Sequence, residues 1–383
     1  MAQAIISRRG GGSGYATITF NGVSALKKTD VAALSGTKSD LAATAVGDYA
    51  LFGGGDGSGN LSTVDAYNAS LTRSTPTALS EGRSYLAATT IGNYALFGGG
   101  LNSSDYFSTV DAYDTSLTRS TPTALSAARR YLAATTVGNY ALFGGGQSGG
   151  SYFATVDAYN SSLTRSTPTV LSEARHSLAA TTVGDYALFG GGRNASILAT
   201  VDAYNTSLTR STPTALSVAD TSLAATTIGN YALFGGYNGV DAYNTSLTRS
   251  TPTALSEARS NLAATTVGDY ALFGGGYKGT SLSTVDAYNS SLTRSTPTAL
   301  IEARRFLAAT TVGDYALFGG GTYGSGNLST VDAYYVNNKV QVYPGTIYKL
   351  GSMSTESISS TMQEIETTAP ITGYIKIKDA TIN

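Results

Sequence analysis

Residues 132–146 read LAATTVGNYALFGGG, and after a stretch peculiar to this copy, residues 155–172 read TVDAYNSSLTRSTPTVLS. In the first half, β-branched and small residues flank Gly138-Asn139, a tight hairpin signal, so residues 132–137 and 140–143 are predicted to pair as antiparallel strands. A glycine run leads to a third strand over residues 155–159. An Asn-Ser-Ser turn then opens a fourth segment, residues 163–171. Pro168 has no N–H to donate to a ladder, which places that segment at the edge of its sheet.

The LAAT start recurs at Leu41, Leu86, Leu132, Leu178, Leu223, Leu262 and Leu307, with spacings of 45, 46, 46, 45, 39 and 45 residues. Such periods belong to solenoids, arrays or propellers, and four short strands per period with a proline-tolerant outer one specify a propeller blade. The expected fold is all-β, a seven-bladed propeller. Its closure can be read from the count of fourth strands. LTRSTPT occurs six times, at Leu71, Leu117, Leu163, Leu208, Leu247 and Leu292, whereas residues 26–35 align with residues 71–80 at an offset of 45. The N-terminal segment (residues 25–40) is therefore expected to supply the outer strand of the last blade, sealing the ring without an open edge. A three-residue turn at residues 68–70 would set Asp65 opposite Arg73 as a cross-strand pair, and in the closing blade Lys28 opposite Asp332.

Charged residues make up 13% of the chain, the net charge is −1, and cysteine is absent. These values give no electrostatic case for nucleic acid and exclude disulfides and thiolate metal sites. No stretch approaches the length of a membrane-spanning helix, so membrane insertion is not expected, and neither is a signal peptide. Asp56–Asn60 lacks the later acid of a calcium loop, and the sequons at Asn68, Asn160, Asn205, Asn244 and Asn289 read as turn caps. No cofactor or metal is expected.

Strand alternation predicts which face varies. The first-to-second and third-to-fourth turns share one rim and hardly change between copies. The second-to-third loops and the fourth-to-first crossovers share the other rim, and nearly all the variation lies there. The loops are residues 56–61, 101–107, 147–153, 193–198, 277–282 and 322–328, with only 237–239 in repeat five. They mix Tyr and Phe with Gly, Ser and Asn, as antibody paratopes do. Drift without selection would have altered the opposite rim as well. The candidate ligand contacts on this rim are Tyr106, Phe107, Tyr152, Phe153, Arg193, Tyr237, Tyr277, Lys278 and Tyr323 from the loops, with Arg130, Tyr131, His176, Arg305 and Phe306 from the crossovers. Arg130 and Arg305, beside Tyr131 and Phe306, suit stacking on sugar rings or pairing with carboxylates. Lys38, Arg83, Arg129, Arg175, Arg259 and Arg304 form a basic ring, interrupted at Asp220, that reads as a tie between blades.

The hydrophobic run into a Gly-Gly doublet, as at Phe97-Gly98-Gly99, followed by a tyrosine such as Tyr113, resembles the kelch repeat in every copy, over roughly residues 25–335. The resemblance implies a kelch-like β-propeller. The fourth-strand tryptophan of that family is missing, which leaves inter-blade packing to Tyr, Phe and Leu. Catalysis is not expected. His176 is the only histidine, which excludes histidine clusters and a repeated Ser-His-Asp triad; the copper-oxidase branch of kelch propellers needs a cysteine that this chain lacks. A glycan depolymerase built on acids such as Asp56, Asp105, Glu173 and Asp220 is the enzymatic alternative.

Outside the ring, strands are expected over residues 15–20, 339–343 and 374–377 and a short helix near residues 356–365; residues 1–24 and 336–383 read as attachment segments. The N-terminal MAQAIISRRGG and the tail TGYIKIKDATI resemble the ends of bacteriophage structural proteins from low-GC Gram-positive hosts. That resemblance implies a virion protein of tail-fibre or capsid-decorating type, released by lysis, with a host-surface glycan or protein as partner and other virion subunits held through the two ends. A homo-oligomer is compatible with this. The alternative binding role is an intracellular or host-associated interaction scaffold.

Overall fold

The computed structural model describes residues 30–336 continuously, the side chain of Lys27, and short backbone strands beyond them. Seven four-stranded antiparallel sheets form the blades of a propeller. In blade 3 the strands are Ala133–Val137, Tyr140–Gly144, Val156–Asn160 and Arg165–Ser166, the outer one only two residues long. Pro168 lies just beyond it, as its lost donor requires.

The ring closes as expected. Ala25–Lys28 is the outer strand of the last blade, next to Val331–Val336. Leu34 N–H donates to Ser329 C=O at 2.8 Å and Gly321 N–H to Lys38 C=O at 2.8 Å, so the first crossover lies across the last blade. A second cycle runs through the core. The first glycine after each Phe has no room for a Cβ, because the Phe ring of the next blade packs there: the missing Cβ of Gly98 would lie 2.9 Å from the Phe143 ring, and that of Gly319 would lie 2.8 Å from Phe52, completing the circle. Each of these Phe rings also meets the third-strand Tyr of its own blade edge to face, at 5.9 Å between Phe97 and Tyr113. Phe, Tyr and Leu thus carry the inter-blade packing.

The cross-strand register differs from the expected one. Arg73 lies opposite Tyr67, not Asp65. The turn spans Ala69–Leu71, with Leu71 left-handed at φ 60°, and Asn68 Oδ1 caps it by accepting the N–H groups of Ser70 and Thr72 at 3.0 Å each. Arg73 still reaches Asp65 diagonally, Nη1 to Oδ1 at 3.0 Å. In the closing blade Lys27 pairs with Asp332 at 2.5 Å; the side chain of the expected Lys28 lies outside the described residues. Six blades have a turn that fixes the register of the outer strand. In the seventh, third and outer strands come from opposite ends of the chain, and no turn sets it.

The terminal segments, Met1–Ala25 and Val336–Asn383, together form a second compact unit. Its strands include the pair Ala4–Ser7 and Thr17–Phe20, and Thr346–Tyr348 between Thr355–Ser357 and Lys376–Lys378. The helix expected near residues 356–365 is not formed at either end of that stretch. Thr355–Ser357 and Gln363–Glu366 are strands, the second paired with Lys339–Val342, because these short runs find backbone partners in neighbouring strands.

Candidate functional site

Both variable segments meet on one rim. Crossover residues pair by backbone with loop residues of the blade that follows: Ser39 with Asp56, Ser84 with Leu101, Arg130 with Gln147, His176 with Arg193, Ser260 with Tyr277 and Arg305 with Thr322. On the opposite rim the nearly constant turns lie close together, Gly47 beside Thr115 and Gly138 beside Thr206.

The residues two positions before each inner strand, Asp40, Tyr85, Tyr131, Ser177, Ser222, Asn261 and Phe306, form a ring of their own. Each N–H donates to the C=O of its counterpart one blade back, and Asp40 donates to Phe306, at 2.8 to 3.1 Å. All seven have φ between 52° and 56°, and none is glycine. A left-handed non-glycine residue costs about 1–3 kcal/mol, so the ring of hydrogen bonds holds side chains where the backbone alone would prefer to have none. Below this mouth an axial channel of about 420 Å³ is lined by the alanines and threonines of the inner strands.

The mouth is lopsided. Ser222 and Asn261 lie on one side; on the other runs an arc of rings and charges. Arg130 sits over Tyr131 at 4.8 Å and over Tyr85 and Tyr106 at 5.7 Å each. Tyr85 and Tyr131 pack at 4.4 Å, and His176 stacks on Tyr152 at 5.4 Å and meets Tyr131 at 5.7 Å. Across Asp40, Arg305 lies 4.4 Å over Tyr277 and 5.4 Å over Phe306. Burial pushes the Asp40 carboxyl up to about 7, Asp56 adds to the shift, and hydrogen bonds from Ser39 and Tyr85 and the charge of Arg305 only partly oppose it. Burial, with the charges of Arg193 and Arg130, holds the His176 imidazole below its usual range.

The structure thus brings together Tyr106, Arg130, Tyr131, Tyr152, His176, Tyr277, Arg305 and Phe306. Tyr237 and Tyr323 are exposed, as are Arg193 and Lys278 on their loops. Phe107 and Phe153 are half-buried at the position that is Leu61, Leu198, Leu282 and Leu328 in other repeats; their backbones tie the loop to Gly100 or Gly146 and to the crossover, so they anchor loops. Asp40 and Tyr85 were missed. They vary at the same position as Tyr131 and Phe306 in an otherwise constant block, which was the available signal.

The basic ring is structural. Arg83, Arg129, Arg175, Arg259 and Arg304 are fully buried on the third-strand Asp of the next blade, as in Arg129 to Asp157 at 2.7 Å, and Lys38 does the same with Asp65 at 2.8 Å. In repeat five Asp220 stands where the cation would be, so Asp241 is left with Ser217 and a distant Arg249 at 3.4 Å. Among the acids named for hydrolysis, Glu173 is held by Thr200 at 3.1 Å. Among the described residues no group of three or more His, Cys, Asp or Glu could hold a metal ion, and no helix is long and apolar enough to cross a membrane.

No family model matches the chain, and no curated protein matches it. Among solved structures it is similar to the one titled "Structure of YjhT", with a TM-score of 0.53 and 12% sequence identity, over 79% of this chain and 96% of that one. At that identity the likeness shows the fold alone: a β-propeller.

Proposed function

We propose that this chain is a non-enzymatic binding module of kelch type, a phage structural protein that presents its variable rim to a glycan or protein on the host surface and is anchored through residues 1–24 and 336–383. The observation that carries the binding reading is the segregation of variation: side chains change freely where loops and crossovers meet, whereas the turns of the other rim exchange only Asp for Asn or interchange Ala, Ser and Thr. Aromatic rings with small polar neighbours supply contact area and adaptable hydrogen bonding on that rim. The phage reading rests on the resemblance of the chain's two ends.

The test compares substitutions on the two rims. Binding of the full chain to host cells should fall at least tenfold with Tyr131→Ala or Tyr152→Ala and stay unchanged with Asp185→Ser on the opposite rim. Equal effects from both rims would refute the binding face. Antibody detection of the chain in purified particles checks the virion role. Its presence only in the soluble host fraction would favour the interaction scaffold.

A further inference from the structure

Among the described arginines, those of the crossover clasps and outer strands all pair with aspartates. Arg130 and Arg305 do not. Neither guanidinium has a carboxylate within ion-pair distance or a protein acceptor for a hydrogen bond, although the Nε of each is buried. Both are held on aromatic faces, which fixes the direction of the fork while leaving its N–H groups uncommitted. They bound a bay of the rim, the two consecutive crossovers at which the corresponding residues are the small Ser39 and Ser84, so that no long crossover side chain stands between the two forks.

The bay also contains Asp40. The groups that face its carboxyl are Ser39, Asp56, Tyr85, Tyr131 and Arg305. Only Ser39 and Tyr85 give it hydrogen bonds, and burial favours its neutral form. A protonated carboxyl can donate to an anion; Arg305 lies beside it, and Arg130 rests on the ring of Tyr85, which hydrogen-bonds that carboxyl. The large exposed side chains beside the bay are Tyr152 and Tyr323. Their flat rings with hydroxyl tips suit the faces and hydroxyls of a sugar, while the exposed aliphatic Ile197 lies on the next loop round the rim, beyond Arg130.

We propose that this bay receives the carboxylate or phosphate of an anionic saccharide, with Arg130 and Arg305 as the anion-binding forks and Asp40 as a further donor beside them. The proposal rests on the rim reading and gives it a ligand class.

The experiment measures binding of the full chain, by calorimetry at pH 6 and pH 8, to matched probes: oligogalacturonate against its methyl ester, phosphomannan against neutral mannan, and poly-glutamate as an acidic peptide. At least one anionic saccharide should bind, with tenfold or greater loss when its charge is masked; Arg130→Gln and Arg305→Gln should each cost about tenfold, and a carboxylate hit distinguishes its source from a phosphate hit. Binding should strengthen from pH 8 to pH 6, and Asp40→Asn should remove most of that dependence. The proposal is overturned if no anionic saccharide binds, if neutral and charged partners bind equally, or if poly-glutamate alone binds. If Tyr237→Ala abolishes host-cell binding while the arginine variants leave it intact, the bay is refuted and the rim reading survives. If only opposite-rim substitutions matter, both fail.

Discussion

Asp220→Arg should stabilise the protein, because it would install the one clasp that the ring lacks. Asp241 is already buried at 5% exposure, so its desolvation is a standing cost. An arginine at position 220 could donate to Asp241 and to Phe234 C=O as Arg129 does to Asp157 at 2.7 Å and to Phe143 C=O at 3.2 Å. Gly236 lies over position 220 as Gly146 lies over the stem of Arg129, which leaves space for the chain. Removing one partner of a buried pair costs about 3–5 kcal/mol, which bounds the gain. The bonds that Asp220 now accepts from the N–H groups of Thr221 and Asn238 would be lost, at about 1 kcal/mol each. The net expectation is about 1–3 kcal/mol of added stability. Burial raises both the Asp220 and Asp241 carboxyls, so the folded state binds more protons than the unfolded chain. Wild-type stability from this pair is therefore greatest below the unfolded value of 3.8 and is lost as pH rises through the folded values. The advantage of Asp220→Arg should grow with rising pH. Urea unfolding at pH 5 and pH 8, with Asp220→Ala as the control for removing the acid alone, measures it. An arginine variant no more stable than the alanine variant, or one whose advantage shrinks at pH 8, would refute the reasoning.

The channel supplies another break in symmetry. Six inner-strand threonines, from Thr90 round to Thr311, bond through their hydroxyls to the preceding blade, as Thr136 does with the Thr89 hydroxyl at 3.0 Å and with Thr90 C=O at 2.5 Å, but the seventh position is Ala45. Ala45→Thr should complete the ring with Thr310 and Thr311 C=O and add about 0.5–1.5 kcal/mol in thermal unfolding; no change would show that water already serves those groups. Gly98→Ala should cost about 1–3 kcal/mol by pushing on the Phe143 ring, and Phe143→Ala about 3–5 kcal/mol; if the glycine variant is neutral, the blades are not as tightly stacked as described. Asp40→Asn should stabilise the chain at pH 8, where the wild-type carboxylate is charged and buried, and have little effect near pH 4, where it is neutral. Equal effects at both pH values would disprove that assignment.

The repeats made the blades, their number and the closing strand legible, because each copy states the same strand and turn chemistry and the missing seventh LTRSTPT is supplied at residues 25–35. The same near-identity exposed the variable rim. Register was less legible. The outer-strand hairpin turns on Leu71 in a left-handed conformation that nothing in its side chain advertises, so Asp65 and Arg73 meet diagonally; in the closing blade, which has no such turn, Lys27 reaches Asp332. Asp40 escaped notice because its importance lies in burial and in the rings beside it, which only the assembled mouth provides. Phe107 and Phe153 looked like ligand contacts by residue type, yet alignment with Leu61 already marked them as loop anchors.

Repeat five departs from the others twice, and the two departures are one. In six blades the crossover pairs by backbone with a long loop, but Thr221 has no such bridge, because Gly236 and Gly239 close a two-residue hairpin at Tyr237-Asn238. Asp220 turns its carboxylate to the N–H of Asn238 at 3.0 Å and so fastens the short loop that no backbone bridge holds. The missing clasp is the consequence of the missing loop. Grafting residues 192–200 of repeat four in place of residues 237–239 should then destabilise the wild type, since Asp220 loses the Asn238 donor, yet it should suit Asp220→Arg, whose clasp belongs to long-loop blades. A double-mutant cycle should show the two changes together exceeding the sum of their separate effects by about 1–2 kcal/mol. Strict additivity would mean that loop length and the residue at position 220 vary independently, and the acid would need another cause.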